Sequence, residues 1–474
     1  MSTAERFIHG KLLEKAVIVL DGGLGTELRK AHLAEADYRG ALDIPAAQAQ
    51  QGNCALLSLT QRALVQTLHE RFLEAGADII QTNTFCANAV DQNRFYGIGI
   101  DSKLVAEMNR QSARIALDAV ARSGRSALVC GSVGPTHAAV TIETFEHIHF
   151  EELFGVYCNQ IRALVEGGCR AFLVESVMDW VNARAAMAAI HQVAAVCNVQ
   201  LQAIVSAGVG AKDGRIMSGQ SWEEFARAFA AYPNVLAVGQ NCGDCAPDFS
   251  SSTVGRIRDS AGACVAFYPC AGLPDTDGQY SLTPEAFAAE MARFVGSEMV
   301  DMVGGCCGIT PMHISAMVSQ CNGESRTLGS ALRVREKVCT VSGRGALPSI
   351  DISSTWSTDD IASAIMAAVS DTGSAVLRVR FSSSGQSLRL LCALAKRAVI
   401  ELSCTLVVDS ADTSGIELLL ERAPCMCLVD AANHNVTPDK CASWIRSYGA
   451  GLYLADDQPS TTMQEFKENV ARYI

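Results

Sequence analysis

Eight short apolar runs punctuate the first two thirds of the chain, at residues 16–20, 77–81, 127–130, 171–174, 201–205, 235–238, 264–268 and 299–303. Each is too short for a helix and lacks the strict alternation of a half-exposed strand. Each is therefore predicted as a parallel strand buried on both faces. Helix-period segments lie between them, clearest at 62–75, 103–122, 150–166, 182–193 and 284–294. Glycine closes several, as in Glu74-Ala75-Gly76 and Glu166-Gly167-Gly168. Eight β/α units over roughly 310 residues predict a (β/α)8 TIM barrel. The alternative is an open doubly wound sheet. Against it, Asp21-Gly22-Gly23-Leu24-Gly25-Thr26 lacks the G-x-G-x-x-G spacing expected after a first strand.

The texture changes after residue 322. Residues 323–347 mix charge with Gly and Ser and show no long apolar period, so they are predicted as a linker. A second α/β series follows, with strands at 349–352, 375–381, 404–409, 426–430 and 451–455. Its helices are predicted at 358–369, 386–399, 413–421, 438–448 and 462–473. Five β/α units are too few to close a TIM barrel. The expected organisation is a barrel over 1–322, a linker over 323–347 and a small α/β domain over 348–474, either a partial barrel or an open parallel sheet.

In a barrel the chemistry collects at the C-terminal ends of the strands. That rule brings Asp21, Asn83, Glu175, Ser206, Asn241, Cys242, Cys306 and Cys307 to one face. Composition agrees with a globular enzyme, with 49% hydrophobic and 19% charged residues. The formal net charge of −12 argues against non-specific nucleic-acid binding, which needs cations to neutralise phosphates. No apolar run approaches the roughly 18–20 residues of a membrane span. The first residues lead into no signal-peptide core, so a cytoplasmic protein is expected. In a reducing compartment, 19 irregularly spaced cysteines are not a disulfide framework.

Cys306 and Cys307 are adjacent, and adjacent residues on a regular strand point to opposite faces. They can share one ion only if the backbone leaves strand geometry. Gly304, Gly305 and Gly308 would supply that freedom. With Cys242 they would give three thiolates, and a zinc site with three protein ligands keeps an open, catalytic position. On the residues alone the alternatives stay open. They are a closed structural zinc site with Cys245 as fourth ligand, a strained redox disulfide, and buried packing. His147 and His149 form an H-x-H best read as a solvated loop. Tyr268-Pro269 reads as a turn at the barrel mouth.

Several segments in order resemble the homocysteine S-methyltransferase family. They are Asp21-Gly22-Gly23-Leu24-Gly25-Thr26-Glu27-Leu28, Glu74 through Phe85, Gly131-Ser132-Val133-Gly134-Pro135, Glu175-Ser176-Val177, Gly239-Gln240-Asn241-Cys242 and Gly304-Gly305-Cys306-Cys307-Gly308. Ser218-Gly219-Gln220 and Ala271-Gly272-Leu273-Pro274 look most like the homocysteine-binding module of cobalamin-dependent methionine synthase. The resemblance implies a zinc-dependent transferase that methylates homocysteine to methionine. Cys242, Cys306 and Cys307 match the family's zinc ligands. Asp21 and Glu175 match its acidic homocysteine contacts, which would meet the ammonium group. Asn83, Ser206 and Asn241 take supporting substrate-binding places. Ser176 stands where betaine-using relatives carry an aromatic residue, which disfavours betaine. Cys270 stands where the methionine-synthase module has Asn.

Residues 349–474 resemble a pterin-binding domain weakly, through Val407-Val408-Asp409-Ser410 and the stretch Ser447 to Asp456. The segment is short, lacks an Asp-x-Asn cluster at Ile350-Asp351-Ile352-Ser353, and has Asp430-Ala431-Ala432-Asn433 where an Asn-Ser contact is expected. It reads as a truncated, degenerate domain, so folate is not an expected cofactor. The chain also lacks the D-x-H-x-x-G cobalamin motif. A methylated corrinoid donor would have to arrive on another protein, and the alternative is a small sulfonium donor. Three further readings stay open: another thiol acceptor, a non-catalytic module that docks a corrinoid protein, and a homo-oligomer.

Overall fold

The computed structural model describes residues 1–14, 17–97, 99–210, 213–243, 253–257, 263–321, 340–343, 347–372, 376–400, 402–430 and 436–455. All eight apolar runs form strands: β1 (Ile18–Val19), β2 (Ile79–Gln81), β3 (Leu128–Val133), β4 (Ala171–Val177), β5 (Gln202–Ala207), β6 (Val235–Asn241), β7 (Cys264–Tyr268) and β8 (Met302–Val303). They pair in parallel in the order β1-β8-β7-β6-β5-β4-β3-β2. A parallel bridge between Leu20 and Ile79 joins the two ends. The sheet is therefore a closed TIM barrel, with every strand beside its neighbour in sequence.

The reason these runs lack alternation is visible in the burial. Both faces of β4, β5 and most of β6 are covered. Inward residues such as Ile18, Ile79, Leu173, Ile204, Ala237 and Met302 fill the barrel. Outward residues pack on the helices, notably Ser102–Ser123, Phe150–Gly167 and Trp180–Cys197. The stretch before β1 is a helix, Thr3–Glu14. Its Ala4, Ile8 and Leu12 recur every fourth residue and join the inner barrel core, so this helix packs into the barrel interior.

The second half is a six-stranded parallel sheet. Its strands are β9 (Thr340–Gly343), β10 (Ser349–Asp351), β11 (Val376–Phe381), β12 (Thr405–Ser410), β13 (Cys427–Asp430) and β14 (Gly451–Ala455), in the order β9-β14-β13-β12-β11-β10. Five of these strands were expected. β9 falls inside the stretch expected to be a linker and pairs with β14. Residues 323–339 and 344–346 of that stretch, Cys245 and the helix expected at 462–473 lie outside the described residues.

The two faces of this sheet belong to different cores. Leu377, Val379, Leu406, Val408, Val429 and Leu452 pack with the second half's own helices. Val407, Met426, Leu428 and Tyr453 join the barrel's outer core. The seam also has polar ties. Arg184, buried on the barrel helix Trp180–Cys197, donates to the carbonyls of Leu420, Cys425 (2.9 Å) and Tyr448 (3.3 Å). Gln220 donates to Pro424 O at 2.8 Å, and Arg422 pairs with Glu151 at 2.7 Å.

Candidate active site and metal centre

β6 and β8 flank β7, and the chain turns sharply after each. Cys242, the first residue beyond β6, has φ +52°, a left-handed conformation that few non-glycine residues adopt. The loop after β8 folds back on itself. Gly308 has φ +81°, as expected. Gly304 and Gly305 have no positive φ, which corrects the expectation for both. What they supply is space, because a Cβ would lie 2.6 Å from the Leu20 side chain at Gly304 and 2.2 Å from the Ile309 side chain at Gly305.

These turns gather three sulfurs. The Sγ atoms are 2.9 Å apart for Cys242 and Cys306, 4.0 Å for Cys242 and Cys307, and 4.0 Å for Cys306 and Cys307. All three cysteines are free thiols. A disulfide needs a sulfur separation of about 2.05 Å, so a vicinal Cys306–Cys307 bridge is excluded in this conformation. Ligands at about 2.3 Å from a tetrahedral ion would stand ~3.8 Å apart. Two edges match that spacing and the third must open. Among the described residues this is the cluster able to hold a metal ion. Hydrogen bonding with Cys242 and Cys307, reinforced by burial, pushes the Cys306 thiol up, while hydrogen bonding from Cys242 and Cys306 holds Cys307 below the usual thiol range. Three soft sulfur donors gathered in this way fit a soft divalent cation.

The three cysteines line a cavity of about 300 Å³. Glu175, in β4, lines it and accepts a 2.5 Å hydrogen bond from Ser132 Oγ of β3. Burial pushes its carboxyl up to about 8, and the negative charge of Cys307 adds to this. Asp21 lies just beyond β1, 2% exposed. Its Oδ2 accepts from the Gln81 N–H at 2.9 Å. Burial raises its carboxyl well above the usual range despite that bond, and Glu175 contributes.

Residues 18–321 match the homocysteine S-methyltransferase family. The chain belongs to that family. It is a methyltransferase. Two crystal structures of the homocysteine methyltransferase MmuM from Escherichia coli, of its metallated and oxidized forms, share the barrel fold. Each is 18% identical, with TM-scores of 0.50 and 0.51, covering 65% and 66% of this chain and 97% and 99% of theirs.

In this methyltransferase Cys242, Cys306, Cys307, Glu175 and Asn83 line one cavity, as the strand-end rule predicted. The Asn83 side chain is occupied, donating to Cys54 O at 2.7 Å and Ser58 Oγ at 3.1 Å. Asn241 and Ser206 are fully buried behind the cysteines and do not line the cavity. Asn241 Nδ2 faces Cys306 Sγ at 3.8 Å, and its Oδ1 accepts from Ser206 Oγ at 2.8 Å. Tyr268, expected only as part of a turn, is a buried strand residue whose hydroxyl bonds Ser206. His147 and His149 are exposed and outside the metal cluster. Sequence reasoning missed Ser132 as the partner of Glu175, although its place at the end of β3 was a usable signal.

Proposed function

We propose that the enzyme transfers a methyl group to the thiol of homocysteine, giving methionine, with Zn²⁺ held by Cys242, Cys306 and Cys307. The observation that carries this reading is the meeting of three thiols, all within 4.0 Å, with a buried acid in the lining of one cavity. A zinc ion on three thiolates leaves a position for a fourth soft ligand and favours the thiolate form of a substrate thiol.

The remaining roles belong to the protein. Burial raises Asp21 and Glu175, and an α-ammonium group would draw them back to the ionised form. Ser132 fixes the Glu175 carboxyl. Asn241 and Ser206 hold the backbone from behind rather than touching substrate. The homocysteine thiolate attacks the methyl carbon in line; the new C–S bond forms as the bond to the donor breaks, and its electron pair leaves with the donor. The donor is a methylated corrinoid on a separate protein or a small sulfonium compound.

We further propose the division into a barrel over 1–322, a linker over 323–347 and a degenerate pterin-like domain over 348–474. Its seam with the barrel favours a bracing role over folate binding. Among the described residues no helix is long and apolar enough to cross a membrane, and we place the enzyme in the cytoplasm. Metal analysis tests the core of the proposal. Purified enzyme should hold one zinc per chain, and Cys306→Ser should lose it together with methyl transfer. Full zinc and full activity in that variant would refute the mechanism.

A further inference from the structure

Strand β2 stops before its neighbour does. Its last ladder partners are Gln81 and Cys130, and the Thr82 N–H still donates to Cys130 O at 2.9 Å. β3 runs on through Ser132 to Val133 and pairs with β4 there. The N–H and C=O of Ser132 face the side that β2 has vacated. Ser132 is fully buried, so water cannot satisfy them, and each would be costly to leave unpaired.

Two threonine side chains take the place of the missing strand. The Ser132 N–H donates to Thr82 Oγ1 at 3.0 Å, the Thr82 and Thr84 hydroxyls meet at 2.6 Å, and Thr84 Oγ1 donates to Ser132 O at 2.7 Å. The directions are forced. Thr84 spends its hydrogen on a carbonyl, so Thr82 donates to Thr84. Three bonds therefore close a circuit on the backbone of one serine. Thr84 is braced in turn, because Gln160 of the helix Phe150–Gly167 donates to its carbonyl at 2.8 Å. Thr82, Thr84 and Gln160 are all buried.

The serine in this clamp carries the hydroxyl that meets Glu175. Ser132 pairs with Leu173, whose side chain fills the barrel, so Ser132 and Glu175, two residues past Leu173, share the inward face. Ser132 Oγ donates to Glu175 Oε1 at 2.5 Å. A shift of the Ser132 backbone would carry that hydroxyl away from the carboxyl.

We propose that Thr84, acting through Thr82 and the backbone of Ser132, is a positioning residue for Glu175. The two threonines hold the serine hydroxyl where it aims the carboxyl at the ammonium group of the substrate, and neither touches substrate in this role. The inference rests on the homocysteine reading above and deepens it.

The test is calorimetry on the full zinc-loaded enzyme, with homocysteine and with 4-mercaptobutanoate, the same thiol acid without its ammonium group. Thr84→Val removes the hydroxyl and keeps the branched shape. It should weaken homocysteine binding roughly threefold or more and leave 4-mercaptobutanoate within about twofold. Thr84→Ser keeps the hydroxyl and should bind homocysteine like the unaltered enzyme. In a Ser132→Ala background the hydroxyl that the clamp aims is gone, so Thr84→Val should cost no more than about another twofold. A smaller loss in Thr84→Val alone, a loss as large for 4-mercaptobutanoate as for homocysteine, a serine variant as weak as the valine one, or a larger further loss in the Ser132→Ala background overturns the inference. If Thr84→Val does not fold, Thr82→Val breaks the same circuit and takes its place. Homocysteine that fails to bind the unaltered enzyme overturns the homocysteine reading itself, which tells the two failures apart.

Discussion

The side chain of Asn241 grips Ser176 at two points. Its Oδ1 accepts the Ser176 N–H at 2.8 Å, and its Nδ2 donates to Ser176 Oγ at 2.8 Å. Ser176 has φ +55°, so the grip holds β4 in a strained bend directly after Glu175. Asn241→Ala removes both bonds and leaves the Ser176 amide buried without a partner. We expect a loss of about 2–3 kcal/mol from the denaturant midpoint, together with weaker zinc retention. Ser176→Gly should be far milder, since glycine occupies that φ without strain.

Glu175 gives a pH signature for binding. With its carboxyl near 8 in the free enzyme, it is mostly protonated at neutral pH. If it ionises to meet an ammonium group, homocysteine affinity rises with pH up to about 8 and then levels off. Binding at pH 7 also releases a proton that Glu175→Gln cannot release. Calorimetry in buffers of different ionisation enthalpy measures that difference, and equal proton release in both proteins would refute the role.

His69 sets an acid limit on stability. Its ring is fully buried, neither nitrogen has a hydrogen-bond partner, and burial lowers it to about 4 from an ordinary 6.5. The unfolded chain therefore binds the extra proton first as pH falls. Stability is complete above about pH 6.5 and falls by about 3 kcal/mol on going down to pH 4. His69→Leu should flatten this part of the stability–pH curve.

Arg184 ties the halves together through three carbonyls. Arg184→Ala leaves those acceptors facing a hole and should cost at least about 3 kcal/mol. Differential scanning calorimetry should then resolve two transitions where the unaltered protein shows one. A single unshifted transition would show that the seam holds without it.

The barrel was legible because parallel strands buried on both faces appear as bare apolar runs, and loop glycines mark where they end. The strand ends were less legible. Ser132, Glu175, Ser206 and Asn241 lie within strands although their polarity suggests loops, because this part of the barrel lines or supports a polar site. The three thiols could be assigned to one site from position alone. Which residues touch the cavity and which stand behind it could not, since Asn241 and Cys242 are neighbours that face different ways. β9 was hidden because its strand identity comes from pairing with β14, about 110 residues further along the chain.

The sheet of the second half shares one of its faces with the barrel's outer core. A chain ending at residue 321 would be left with the apolar surface that Val407, Met426, Leu428 and Tyr453 now cover, and with a buried arginine turned toward water. The two halves therefore cannot be shuffled as independent cassettes. Selection has a reason to keep the hydrophobic surface of the second half, because without it the barrel turns that apolar face to water.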